Sequence, residues 1–109
     1  MPTFQDFLAF EIRVGTVRAA HEHPAARKPA LQLEIDFGPH GIKRSSAQLT
    51  RRYAPGDLVG RQVAAVLNFP PRRIADFTSD VLVLGALPEE GDVVLLALDA
   101  PVPDGTRIA

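Results

Sequence analysis

The chain contains no cysteine, which excludes a disulfide framework, a thiolate zinc site and a cysteine nucleophile. No apolar run approaches the roughly 20 residues that a membrane-spanning helix needs. The start, Met1-Pro2-Thr3-Phe4-Gln5-Asp6, lacks the basic region followed by a hydrophobic one that marks a cleavable signal. A cytoplasmic protein with no membrane insertion is therefore expected. There is no Gly-x-Ser-x-Gly elbow and no phosphate-cradling glycine loop, so no catalytic constellation is read and an enzyme is not expected. His21 and His23 fall beside Pro24 in what reads as a loop, and His40 stands apart. Neither a metal nor a cofactor is expected from them.

Acidic residues are also scarce in one particular stretch. Between Lys43 and Arg73 lie seven Lys and Arg residues with Asp57 as the only acid, a local charge of +6 on a chain whose formal net charge is −1. Residues 74–109 reverse the balance, with seven acids against Arg107 alone. So local an asymmetry has two readings. A basic surface collects phosphates even on a mildly acidic protein. Alternatively the basic stretch is a solvated face that pairs with the acidic C-terminal third.

At 109 residues the chain fits one domain, 1–109, with a core of its own. Thr3 and Asp6 stand at capping-box spacing ahead of Phe7 and Leu8, which predicts a short helix that must dock on something to persist. The period then becomes two. Ile12-Arg13-Val14 alternates, Gly15 interrupts, and Thr16-Val17-Arg18-Ala19 resumes out of phase, which predicts a long strand with a bulge at Gly15. His21 to Pro29 reads as a loop. Leu31, Leu33, Ile35 and Phe37 alternate with Gln32, Glu34 and Asp36, the pattern of a half-buried strand. Gly38 to Gly41 reads as a turn, Ile42 to Ser46 as a strand and Ala47 to Tyr53 as a helical turn. Val63–Leu67, Val81–Leu84 and Val93–Leu98 read as further strands. Short strands with glycine and proline turns and little helix indicate an all-β fold, a small barrel of about five strands or a sandwich.

Three segments resemble one family. They are Ile12-Arg13-Val14-Gly15-Thr16-Val17; Ser45-Ser46-Ala47-Gln48-Leu49-Thr50-Arg51-Arg52-Tyr53; and Asn68-Phe69-Pro70-Pro71-Arg72-Arg73-Ile74-Ala75-Asp76-Phe77-Thr78-Ser79-Asp80-Val81-Leu82-Val83-Leu84-Gly85. They look like the tRNA-binding domain that occurs alone and as an appendage of aminoacyl-tRNA synthetases, and within it like the CsaA family of secretion-related chaperones. The likeness runs from Phe4 to Ile108, ending in Val102-Pro103-Asp104-Gly105-Thr106-Arg107-Ile108. The resemblance implies a five-stranded OB-fold barrel with short flanking helices, one of them N-terminal, and a homodimer. It also implies unfolded or export-destined polypeptides as partners, with tRNA and the secretion motor as further ones. Ser79 matches a Ser that meets RNA in RNA-binding relatives, and Leu82 stands where they carry Met. Asp76 stands where they carry Gly; Asp tolerates a left-handed turn better than most residues, so the loop is expected to survive.

The candidate RNA- or peptide-binding residues follow. Arg72 and Arg73 beside Pro70-Pro71 place two guanidinium groups on a stiffened loop, suited to phosphate. Lys43, Arg44, Arg51 and Arg52 are expected to border the same groove. Ser45, Ser46 and Gln48 offer neutral donors and acceptors, either to sugar and phosphate or to the barrel backbone. Phe77 can stack on a ligand or fill the core. Asn68 can meet a ligand or hold the loop as a turn former. Ser79 and Leu82 complete the set. Tyr53 can stack on a base or close the barrel as a core aromatic, and Phe4, Phe7, Phe10, Phe69 and Phe77 are candidates for an apolar client surface.

Overall fold

In the computed structural model, which describes residues 1–109, the expected helix α1 spans Phe4–Leu8. Its capping box is complete: the Thr3 hydroxyl accepts from the Asp6 N–H at 3.2 Å and the Asp6 carboxylate accepts from the Thr3 N–H at 2.8 Å. None of its residues is buried within the chain. Asn68 ties down the exit of this helix, accepting from the Glu11 N–H and donating to the Ala9 carbonyl at 2.9 and 2.8 Å.

Nine strands follow: β1 (Ile12–Glu22), β2 (Leu31–Asp36), β3 (Ile42–Ala47), β4 (Gln62–Val66), β5 (Arg72–Ile74), β6 (Phe77–Ser79), β7 (Leu82–Val83), β8 (Gly85–Glu89) and β9 (Asp92–Leu95). A second short helix, α2, occupies Pro55–Leu58. The main sheet is antiparallel in the order β3-β2-β1-β4-β7, and β5–β6 and β8–β9 form two separate hairpins. The sheet curls until its outer strands meet, giving a nearly closed five-stranded OB-like barrel. Arg44 makes the closure: its carbonyl accepts from the Asp80 and Val81 N–H groups at 2.8 and 3.4 Å, and its own N–H donates to the Asp80 carboxylate.

The alternation of β2 places Leu31, Leu33 and Ile35 inside, where they meet Phe37, Val17, Leu58, Val63 and Ala65. Each fully buried aliphatic side chain contributes roughly 1.5–3 kcal/mol relative to an exposed one. Gly15 departs from the expected bulge. Its pairing with Val63 on β4 is regular, and the register shift lies between Val17 and Ala19 on the β2 side. Glycine is required at position 15 by packing instead, since a Cβ there would sit 2.7 Å from Ile35 Cγ2 and from the Phe37 ring. The strand also outruns its expected end and carries His21 and Glu22, leaving 23–30 as the loop.

The helical turn expected from Ala47 is shorter: β3 runs through Ala47, and a single turn is closed by Tyr53 N–H donating to the Leu49 carbonyl. Tyr53 is a closing aromatic, its hydroxyl accepting from the Leu95 N–H at 3.1 Å. The segment 102–108 lies along β1, with Gly105 N–H on the Val14 carbonyl and Val14 N–H on the Thr106 carbonyl. Thr16 donates to Asp104 at 2.6 Å and fixes that segment from the side. No helix is long and apolar enough to cross a membrane.

Candidate functional site

Three adjoining hollows make one groove on the barrel wall. The first, of about 360 Å³, lies between the end of β3 and β7–β8 and is mostly apolar, with Leu82, Leu84, Leu87 and Val93 facing Ala47 and Leu49. The second, of about 240 Å³, runs towards Phe69, Pro70 and Asp80. The third, of about 270 Å³, opens towards the loop after β1 and is lined by Arg27, Lys28, Ser46, Gln48 and Arg72 with no acid among its walls. Ser46, Arg72 and Ile74 belong to all three. A further open hollow of about 390 Å³ sits on the other side of the same loop, where Glu22 and His23 line it.

Arg72 and Arg73 stand on strand β5 of a tight hairpin rather than on a stiff loop. Arg72 is exposed and enters no ion pair, whereas Arg73 donates to Thr78 Oγ1 at 3.1 Å. The left-handed residue of the hairpin is Ala75, with φ 53°, not Asp76. Asp76 is freed to turn its carboxylate onto His23 Nε2 at 3.3 Å. That ring is buried, its side chain 1% exposed. Its Nδ1 meets Ser46 Oγ at 3.2 Å and its face lies 5.5 Å from the Phe77 ring. His23 thus clamps the loop after β1, strand β3 and the β5–β6 hairpin together. It is a structural residue that the loop reading missed; nothing in the local sequence distinguishes it from exposed His21.

Phe77 is 8% exposed, and the Arg44 guanidinium covers it 4.8 Å from the ring centroid. A base stacking there would have to displace that guanidinium, so of its two readings the core one fits the geometry. Ser45 and Ser79 are also buried. Ser45 donates to the Val81 carbonyl at 3.1 Å, and Ser79 Oγ accepts from the Ser46 N–H at 3.0 Å. Both hydroxyls serve the barrel seam. Asn68 spends its amide on the exit of α1.

The basic stretch divides. Arg51 pairs with Glu89 and Arg52 holds Asp92 through two bonds of 2.5 and 2.8 Å, so these two meet the acidic C-terminal third. The double hydrogen bond from Arg52 holds the Asp92 carboxyl below the usual carboxylate range, against the opposing effect of desolvation, and Asp92 in turn raises Arg52. Lys43 and Arg44 lie along β3 but line none of the three hollows, so the single groove expected for all six cations is not formed. In their place stand Arg27 and Lys28, which the sequence reading passed over; two adjacent bases in a proline-bounded loop were the available signal. Of the candidates, Ser46, Gln48, Arg72 and Leu82 line the groove, with Leu82 49% exposed, and the buried Ser45 and Ser79 also contribute to its walls. The aromatic surface is elsewhere: exposed Phe10 and Phe69 meet edge to face at 5.9 Å beneath α1, and Phe4 is 70% exposed.

The site is thus the wall of an OB-like barrel that carries a cationic, partly apolar groove. Residues 12–107 match the family described as "Putative tRNA binding domain". The chain is also similar to solved structures over its whole length. It shares 57% identity and a TM-score of 0.96 with the chaperone CsaA of Bacillus anthracis str. Ames, covering 99% of that chain. With the CsaA chaperone protein of Picrophilus torridus it shares 44% identity and a TM-score of 0.91, covering 100% of that chain. Among curated proteins it is 36% identical over 105 residues to a methionine–tRNA ligase of Porphyromonas gingivalis; that match covers 96% of this chain but only 15% of the ligase. The chain belongs to the tRNA-binding domain family, and within it is CsaA-like.

Proposed function

We propose that this protein is a homodimeric, non-catalytic chaperone of the CsaA type that holds unfolded or export-destined polypeptides in the groove around Ser46, Arg72, Ile74 and Leu82. The observation that carries the reading is the apolar wall of that groove, which suits extended apolar chain and is small enough to limit self-association. Its likeness to chaperone structures along the whole chain supports it. Dimerisation accounts for α1: a five-residue helix with no buried residue, bearing Phe4 and Leu8, is marginal until a second copy covers it. A cytoplasmic location and docking onto a secretion motor are parts of the same reading.

Arg27, Lys28 and Arg72 favour a second reading, in which the same groove takes tRNA or another structured RNA. The family match supports it too. The test for both uses Arg72→Glu and Leu82→Glu beside Arg107→Glu. The chaperone reading expects Leu82→Glu to lose suppression of aggregation of a chemically denatured client, while Arg107→Glu keeps it. The RNA reading expects salt-dependent tRNA binding that Arg72→Glu removes. A wild-type protein that neither protects the client nor binds tRNA defeats both.

A further inference from the structure

The barrel seam is sealed over only part of its length. Arg44 joins β3 to the Asp80-Val81 segment through main-chain bonds, and Ser45, Ser46 and Ser79 continue the seal with side chains. Beyond Ser46 no backbone hydrogen bond links β3 to β7, and the mostly apolar hollow of about 360 Å³ lies there. In an antiparallel ladder the N–H and C=O of a residue turn to the same side, and alternate residues turn to opposite sides. Arg44 and the Ser46 N–H face the seam, so the Ser46 carbonyl does too. On the far bank the Leu84 N–H donates to the Ala64 carbonyl of β4, which turns the main-chain groups of Val83 into the gap. Two strand edges therefore confront each other across the hollow, and an edge of this kind templates a further strand.

The ends of the gap differ in charge. At one end stand Arg72, Arg27 and Lys28, none of them in an ion pair. The one acid that lines the groove is Asp80, whose carboxylate accepts from the Arg44 N–H. We infer that an extended segment of an unfolded polypeptide inserts between β3 and β7 as an additional strand. Its alternate apolar side chains lie against Leu82, Leu87 and Val93, and an acidic residue meets Arg72. This rests on the chaperone reading and adds to it the mode of binding and the client chemistry. Main-chain bonds supply affinity whatever the sequence, as a chaperone for many clients requires, and the cationic end selects direction.

The test is a fluorescence titration with a dye-labelled ten-residue peptide that alternates valine and threonine and ends in two aspartates. A second peptide carries N-methyl groups on alternate amides, and a third ends in two lysines. The parent peptide is expected to bind, and N-methylation and the lysine ending are each expected to weaken it about tenfold or more. Arg72→Glu should abolish the preference for aspartate over lysine, and Arg107→Glu should leave it intact. The Val83 amide should gain protection from hydrogen exchange when the parent peptide binds. Equal affinity for the parent and N-methylated peptides overturns strand insertion, and suppression of client aggregation in that case leaves the chaperone reading standing. Loss of both peptide binding and client protection overturns both. An eight-nucleotide oligouridine held in the groove by a protein that ignores the peptides overturns the inference in favour of RNA.

Discussion

Replacing His23 by alanine removes a buried side chain that ties the loop after β1 to strand β3 and to the β5–β6 hairpin. The ring is 1% exposed and packs 5.5 Å from the Phe77 centroid, so its loss leaves a void beside a buried aromatic. Void and lost contact together cost about 2 kcal/mol at a site of this size. The Ser46 hydroxyl loses its partner, which adds about 1 kcal/mol. The bond to Asp76 adds little, since that carboxylate is 75% exposed and water replaces the imidazole. The expected destabilisation is thus about 2–3 kcal/mol, which in a domain of this size lowers the melting temperature by on the order of 10–20 °C. His23→Leu keeps most of the volume and should lose about 1 kcal/mol. Urea denaturation gives both numbers, and amide exchange at residues 72–79 should show the hairpin opening first. An alanine variant within about 0.5 kcal/mol of the parent, or a leucine variant as damaged as the alanine one, would refute the clamp.

Four further outcomes follow from the same structure. Gly15→Ala should destabilise by about 3 kcal/mol, because its Cβ would stand 2.7 Å from Ile35 and Phe37 in the sealed core. Gly56→Ala, which meets nothing within 4 Å, should cost nothing in the same urea series. Ala75→Gly should raise stability by about 0.5–1 kcal/mol, since φ 53° is strained for alanine and free for glycine. Asp92 titrates lower in the folded than in the unfolded chain because Arg52 bonds its ionised form. Its contribution is therefore complete above the ordinary carboxylate pKa of about 4 and fades as pH falls through the lower folded value. Asp92→Asn should flatten that part of the stability–pH curve measured by thermal melts.

The barrel was legible because its signals are local. Strict alternation in 31–37 can be satisfied only by a strand with one buried face, and the Thr3–Asp6 spacing caps a helix whatever surrounds it. The hairpin β5–β6 was not legible, because Pro70-Pro71 and the run of bases mask three-residue strands whose stability comes from His23 and Arg44 packed on Phe77. Strand β8 was hidden in the same way by Pro88. Gly15 showed that something was unusual in β1 but could not separate a bulge from a close approach; that depends on Phe37, distant in sequence. The groove was half legible. Ser46, Gln48, Arg72 and Leu82 were read from the motifs, whereas the pairing of Arg51 and Arg52 with Glu89 and Asp92 depends on a hairpin some 40 residues further on. Charge counted along the sequence overstated the basic face, because tertiary contacts neutralise part of it. Arg27 and Lys28 reach the groove only because β1 extends to Glu22 and His23 pins the loop that follows.

The central claim is that ligand enters the groove shared by Ser46, Arg72, Ile74 and Leu82. Amide chemical-shift mapping of the labelled protein during titration with a reduced, unfolded client polypeptide tests it most directly. The account predicts that shifts concentrate at residues 46–48, 72–74 and 82–87, and that Leu82→Glu removes them. Shifts confined to α1, or to the Arg51–Glu89 and Arg52–Asp92 face, would contradict it.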